Sequence, residues 1–234
     1  MREILVADCV GKRFDVTWAL RSATLRAARG ELRSLLGRNG AGKSTLLRIA
    51  AGIIQPDSGT VHFNGEARER VRLARLAREG LCFVPDHDLL SNTFSIRQHL
   101  EFVRRSDDED GVDRVAERLA ITPLLDARPF ELSSGERRRS EIAFALLRQP
   151  ACLLADEPLR NLAPIDADAL LLVLLQMTKE GCAVVITGHE VPAMLDAVHH
   201  VTWCTAGTTY EMGPPFMART DERFMRDYLG SVGG

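Results

Sequence analysis

The segment Gly37-Arg38-Asn39-Gly40-Ala41-Gly42-Lys43-Ser44 satisfies GxxxxGK[ST] in full, and it constrains this chain more than any other feature. The motif carries meaning only where a strand runs into a glycine loop that opens a helix. Both flanks comply: Leu32 to Leu36 is a short apolar run, and Lys43 to Ala51 carries Leu46, Leu47, Ala50 and Ala51 on one helical face. Glycines let successive backbone N–H groups close around phosphate oxygens, while the helix N-terminus adds the positive end of its dipole. Lys43 brings a compact point charge to phosphate, and Ser44 can ligate Mg²⁺. The lysine is informative because only three of the 30 basic residues are lysines, the rest being arginine. A planar, forked guanidinium does not fit inside such a loop.

The rest of the chain fits an α/β domain. Its 234 residues allow one large domain or two small ones, and 45% apolar with 26% charged residues excludes disorder. The longest apolar stretches, such as Ala169 to Leu175, fall far short of the roughly 20 residues needed to cross a bilayer. Any membrane role then comes through a partner. A net charge of -2 gives no global field toward nucleic acid, and none is expected as a partner. The first residues lack a secretory signal, which makes the cytoplasm the expected compartment. Cys9, Cys82, Cys152, Cys182 and Cys204 stand singly among small apolar residues and read as reduced, buried hydrophobes.

Residues Ile4 to Val10 and Ala23 to Ala28 read as a small antiparallel sheet, and Thr60 to Phe63 as a strand ending in the turn signal Asn64-Gly65. Arg68 to Glu79 carries five arginines and reads as a solvated helix face. Leu81 to Val84 is a strand closed by Pro85, and the chain becomes helical from Ser91 to about Leu147, with polar starts near Ser91 and Ser133. Ala151 to Ala155 and Ala183 to Thr187 are continuous apolar runs, the mark of parallel strands buried on both faces, separated by a helix over Ala167 to Lys179. A short helix is expected from Glu222 into a frayed tail.

Two further clusters carry chemistry. Cys152 to Ala155 ends in Asp156-Glu157, where a strand-end pair of carboxylates either holds Mg²⁺ and orients water beside a phosphate loop or caps a helix. Leu132-Ser133-Ser134-Gly135-Glu136 carries a capping box, Ser133 with Glu136 three residues on, and its Gly135 lies 21 residues ahead of Asp156. With these residues in place, the chain resembles the ATP-binding subunit of ATP-binding cassette (ABC) transporters along nearly its whole length.

That resemblance implies a P-loop NTPase core with a mainly parallel sheet, an N-terminal antiparallel β subdomain and an inserted helical subdomain carrying the signature. Residues 1–234 form one domain, with 1–90 and 148–234 as β layer and core and 91–147 as the helical insert. ATP and Mg²⁺ are the implied ligands. Gly37, Arg38, Asn39, Gly40, Ala41, Gly42, Lys43, Ser44 and Thr45 hold the phosphates, and Phe14 stacks on adenine, with Trp18 or a core role as rivals. Ser44 and Asp156 hold the metal, Glu157 activates water, and His189, 33 residues past Asp156, matches the switch histidine. Ser133, Ser134, Gly135 and Glu136 contact the γ-phosphate of the opposite subunit, so the ATP-bound form is a homodimer. Its partners are integral membrane permease subunits at the inner face of the membrane; the alternative is a soluble regulator or assembly factor. Two positions depart from the family. Asp86 stands where the Q-loop Gln is usual, either as a Mg²⁺ ligand or as a cap for a helix near Ser91, and Ala163 stands where an Asp is usual, with Asp166 three residues on.

Overall fold

Two long strands begin the chain, β1 (Glu3–Phe14) and β2 (Thr17–Ala28), joined by a tight turn in which Asp15 takes a positive φ. The elements β3 (Leu32–Leu36), α1 (Lys43–Ala50), β4 (Ser58–Phe63), β5 (Glu66–Arg68), α2 (Leu73–Arg78) and β6 (Leu81–Val84) follow. Next come α3 (Ile96–Val103), α4 (Gly111–Arg118), α5 (Ser134–Leu147), β7 (Cys152–Ala155), α6 (Pro164–Lys179), β8 (Ala183–Gly188) and α7 (Val191–Ala197). The chain closes with β9 (His200–Thr205), β10 (Thr208–Gly213), α8 (Pro215–Ala218), α9 (Glu222–Phe224) and a π-helical turn, Met225–Leu229. The computed structural model describes residues 2–68, 70, 72–87, 89–188 and 191–229.

Among the described residues ten strands form one sheet, ordered β5-β4-β1-β2-β10-β9-β3-β8-β7-β6. Its two halves differ in kind. Strands β5, β4, β1 and β2 pair antiparallel, whereas β9, β3, β8, β7 and β6 pair parallel. The halves meet at one short parallel contact, Thr208 beside Ser22, reinforced by Thr209 Oγ1, which accepts from Thr24 N at 2.6 Å and donates to Thr24 O at 2.9 Å.

The apolar runs alternate between two cores, as strands covered on both faces must. Leu153, Ala155, Val184 and Ile186 face the core shared with α5 and α6, while Cys152, Leu154, Ala183 and Val185 face the core shared with α1 and the antiparallel layer. The α/β architecture with a P-loop core is as the sequence implies. All parallel strands deliver their carboxyl ends to one edge, the edge at which such sheets bind ligands.

Three local expectations need correction. The arginine-rich stretch is not one helix: Asn64-Gly65, with φ of 55° and 82°, closes a two-residue hairpin between β4 and β5, and helix begins only at Leu73. Two successive positive φ values suit the right-handed twist of a hairpin, so the Asn-Gly signal continues the chain into a strand. Ser91 does not start a helix either; Ser95 caps α3, accepting from Gln98 N while the Gln98 side chain accepts from Ser95 N. Cys9 is exposed, unlike the other four cysteines. Burial pushes the thiols of Cys82 and Cys204 up to about 11 and that of Cys182 to about 12, so these behave as small apolar groups.

Candidate functional site

The loop after β3 is shaped by two close approaches that exclude side chains. A Cβ at Gly37 would lie 2.2 Å from Cys204 O, and one at Gly42, where φ is +109°, would lie 2.6 Å from Leu20 Cδ2. Only glycine fits both, so β2 and β9 wall the loop as it turns into α1. No acidic residue stands in the first turn of α1, which leaves its positive end facing the cleft.

Lys43 is 5% exposed, and its Nζ donates to Gly37 O at 2.7 Å and Arg38 O at 3.3 Å, with Glu157 Oε1 at 3.7 Å. Ser44 Oγ donates to Asp156 Oδ1 at 3.1 Å, and Thr187 Oγ1 donates to the same oxygen at 2.7 Å. Asp156 Oδ2 is fully buried and has no hydrogen-bond partner among the described residues. A buried carboxylate oxygen without a donor is costly unless a cation completes it. The Ser44 hydroxyl and Asp156 carboxylate therefore fit Mg²⁺, a hard cation that takes oxygen ligands and keeps several waters.

Thr187 was not singled out by role in the sequence, yet it ties the site together. Besides holding Asp156, its Oγ1 accepts from Glu157 N at 2.7 Å. A polar residue closing an otherwise apolar buried strand was the available signal. Glu157 sits at φ +51°, a left-handed conformation that a non-glycine residue holds only when its surroundings impose it.

Lys43, Ser44 and Glu157 line a cleft of about 550 Å³ with Ala19, Asn39, Gly40, Gly42, Thr45, Asp86, Arg160 and Asn161. Phe14 and Trp18 lie at the tip of the β1–β2 hairpin and are 45% and 44% exposed, so neither is a core residue. Trp18 directly precedes the cleft-lining Ala19, and Lys12 Nζ lies 5.7 Å over the Phe14 ring. Asp86 lines the cleft, but its carboxylate meets Arg160 Nη1 at 2.6 Å and does not cap α3. Ala163 is the N-cap of α6, and Asp166 meets Arg139 at 2.6 Å. His189 lies outside the described residues.

The signature segment opens α5. Ser133 Oγ accepts from Glu136 N at 3.3 Å and donates to Glu136 Oε2 at 2.7 Å, while Ser133 N donates to that same oxygen at 2.9 Å. The Ser133 hydroxyl and amide hold the Glu136 carboxyl below its usual range. Ser133 and Ser134 are exposed, and Ser134 Oγ donates to Asn161 O at 3.4 Å, which sets the signature against the loop after β7. Removing the cap hydroxyl in Ser133→Ala lowers stability by about 1 kcal/mol in urea denaturation. An unchanged midpoint would mean that the box does not hold the helix end.

Similarity to known proteins agrees with this arrangement. The family model "ABC transporter" matches residues 20–160. A probable ABC transporter ATP-binding protein of Azorhizobium caulinodans is 30% identical over 97% of this chain and 83% of its own. A nucleotide-free ATP-binding cassette from an ABC transporter superposes with a TM-score of 0.87 at 21% identity, covering 98% of this chain and 100% of that one. A dimeric cassette in a post-hydrolysis state with ADP and Pi gives 0.81 at 21% identity, over 90% and 98% of the two chains. With the family matched across most of the chain, and a phosphate loop meeting the strand-end Glu157 in one cleft, the protein belongs to the ABC transporter family as its nucleotide-binding ATPase domain.

Proposed function

We propose that this ATPase powers transport through a separate membrane permease, closing as a homodimer around ATP and reopening on hydrolysis. ATP places its phosphates along the loop from Gly37 to Thr45, with Lys43 and the N-terminus of α1 balancing their charge. Ser44 and Asp156 would hold Mg²⁺, which would supply positive charge against the phosphates. Water attacks the γ-phosphorus in line, the bond to the ADP oxygen breaks, and Glu157 accepts the water proton. Ser133 to Glu136 close over the γ-phosphate of the second subunit. The dimeric relative with ADP and Pi supports that assembly.

One observation carries the permease. An apolar groove of about 480 Å³, lined by Leu89, Phe94, Phe102 and Phe144 among others, lies on the helical insert, and Phe94 and Phe102 are 51% and 89% exposed. Leu89 and Ser91 lie a few residues past Asp86, so the groove continues from the loop that lines the phosphate cleft. Exposed aromatics lining an apolar groove mark a contact surface, and a cytoplasmic segment of a membrane subunit is the occupant that suits this family. No helix among the described residues is long and apolar enough to cross a membrane. Phe102→Asp therefore releases the protein from membranes of its own host while ATP hydrolysis by the isolated subunit stays unchanged. Wild-type protein that fractionates entirely without membranes would favour the soluble regulator instead.

A further inference from the structure

The loop after β6 and the loop after β7 are joined across the mouth of the phosphate cleft by an ion pair that no part of the mechanism above uses. Asp86 Oδ2 receives Arg160 Nη1 at 2.6 Å, His87 Nδ1 lies at 3.5 Å, and Arg138 Nη2 lies 3.7 Å from Oδ1. The two arginines differ in how firmly they are held. Arg138, buried in α5, donates to Pro85 O at 2.9 Å and to Asp86 O, and pairs with Glu141 at 2.8 Å. It stays occupied whatever the Asp86 carboxylate does. The Arg160 side chain is 48% exposed, and among the described residues Asp86 is its one hydrogen-bond partner.

Arg160 also lines the same cleft as Lys43, Ser44 and Thr45, from the strand-end side that carries Glu157. In a P-loop site the loop amides hold the inner phosphates, while the strand-end side faces the terminal phosphate and its attacking water. A half-exposed ion pair is weak, whereas a terminal phosphate offers a guanidinium more charge and more acceptor oxygens than one carboxylate. Asp86, left in place, would repel that phosphate; Arg138 stays beside it and screens it after Arg160 leaves.

We propose that Arg160 is a ligand of the terminal phosphate, held by Asp86 before ATP binds and exchanged onto the γ-phosphate when it does. Arg160 then distinguishes triphosphate from diphosphate, and Asp86 is the competitor that sets the cost of the exchange. The inference rests on the phosphate cleft proposed above and adds to it a residue outside the loop motifs.

Calorimetric titration with AMP-PNP and with ADP, each with Mg²⁺, tests it on full-length protein. Arg160→Ala lowers AMP-PNP affinity by about tenfold, the scale of a charge-assisted hydrogen bond, and ADP affinity by less than about twofold. Arg160→Lys, which keeps the charge but not the fork, recovers part of the AMP-PNP affinity. Asp86→Asn frees Arg160 and raises AMP-PNP affinity by up to about fivefold, and this gain vanishes in the Asp86→Asn, Arg160→Ala double variant. Equal losses for both nucleotides in Arg160→Ala, no loss for either, or a gain that survives in the double variant each overturn the exchange. The wild-type ADP titration separates the two levels. Absence of ADP binding overturns the cleft reading and the exchange together, whereas ADP binding with no discrimination by Arg160 overturns the exchange alone.

Discussion

Lys43→Ala lowers ATP affinity by about 30-fold or more while the protein still folds. The ammonium is 5% exposed and aimed into its own loop, where Gly37 O and Arg38 O hold it. Truncating one partner of a desolvated, hydrogen-bonded charge pair costs about 2 to 5 kcal/mol, and ATP phosphates are the partner that loses most. The fold survives because the cores on both faces of the sheet are built from other residues, with α1 anchored by Leu46, Leu47, Ile49 and Ala50. Calorimetry together with a thermal melt gives the answer. A folded Lys43→Ala protein that binds ATP as tightly as wild type would show that the cleft is not the phosphate site.

Glu157→Gln reduces turnover by about a hundredfold to ten-thousandfold, the usual contribution of a positioned general base. ATP binding persists, because the amide keeps the shape of the side chain and the backbone of Glu157 is fixed by Thr187. With hydrolysis blocked, the ATP-bound dimer accumulates, and light scattering after size exclusion reads its mass. Wild-type turnover in the variant would remove Glu157 from the chemistry. A monomer at saturating ATP and Mg²⁺, with turnover lost, would make closure depend on the membrane partner.

Local chemistry makes much of this protein legible in its sequence. The phosphate loop is eight consecutive residues, and its glycines, lysine and serine carry their reasons within that span. The doubly buried strands announced themselves as unbroken apolar runs, because both faces of a parallel sheet are covered and no polar alternation survives. The capping box at Ser133 and Glu136 was equally visible, being a contact between residues three apart.

What the sequence left undecided depends on residues brought together from afar. Asp86 was readable only as a departure from a family pattern, since Arg160, its partner, lies 74 residues on. Thr187, 31 residues past Asp156, stood out only as a polar strand end, and nothing local showed that its hydroxyl holds both the Asp156 carboxylate and the Glu157 backbone N–H. The arginine stretch misled only at its start: charge pattern suits an exposed helix or strand equally, and the Asn64-Gly65 turn put Arg68 in a strand, while Leu73–Arg78 is helical as expected. Short-range sterics and periodicity thus determined the buried strands, the capping box and the phosphate loop from sequence alone. The polar partnerships of the cleft were decided by the tertiary structure, because a parallel sheet gathers at one edge the ends of strands that the chain keeps far apart.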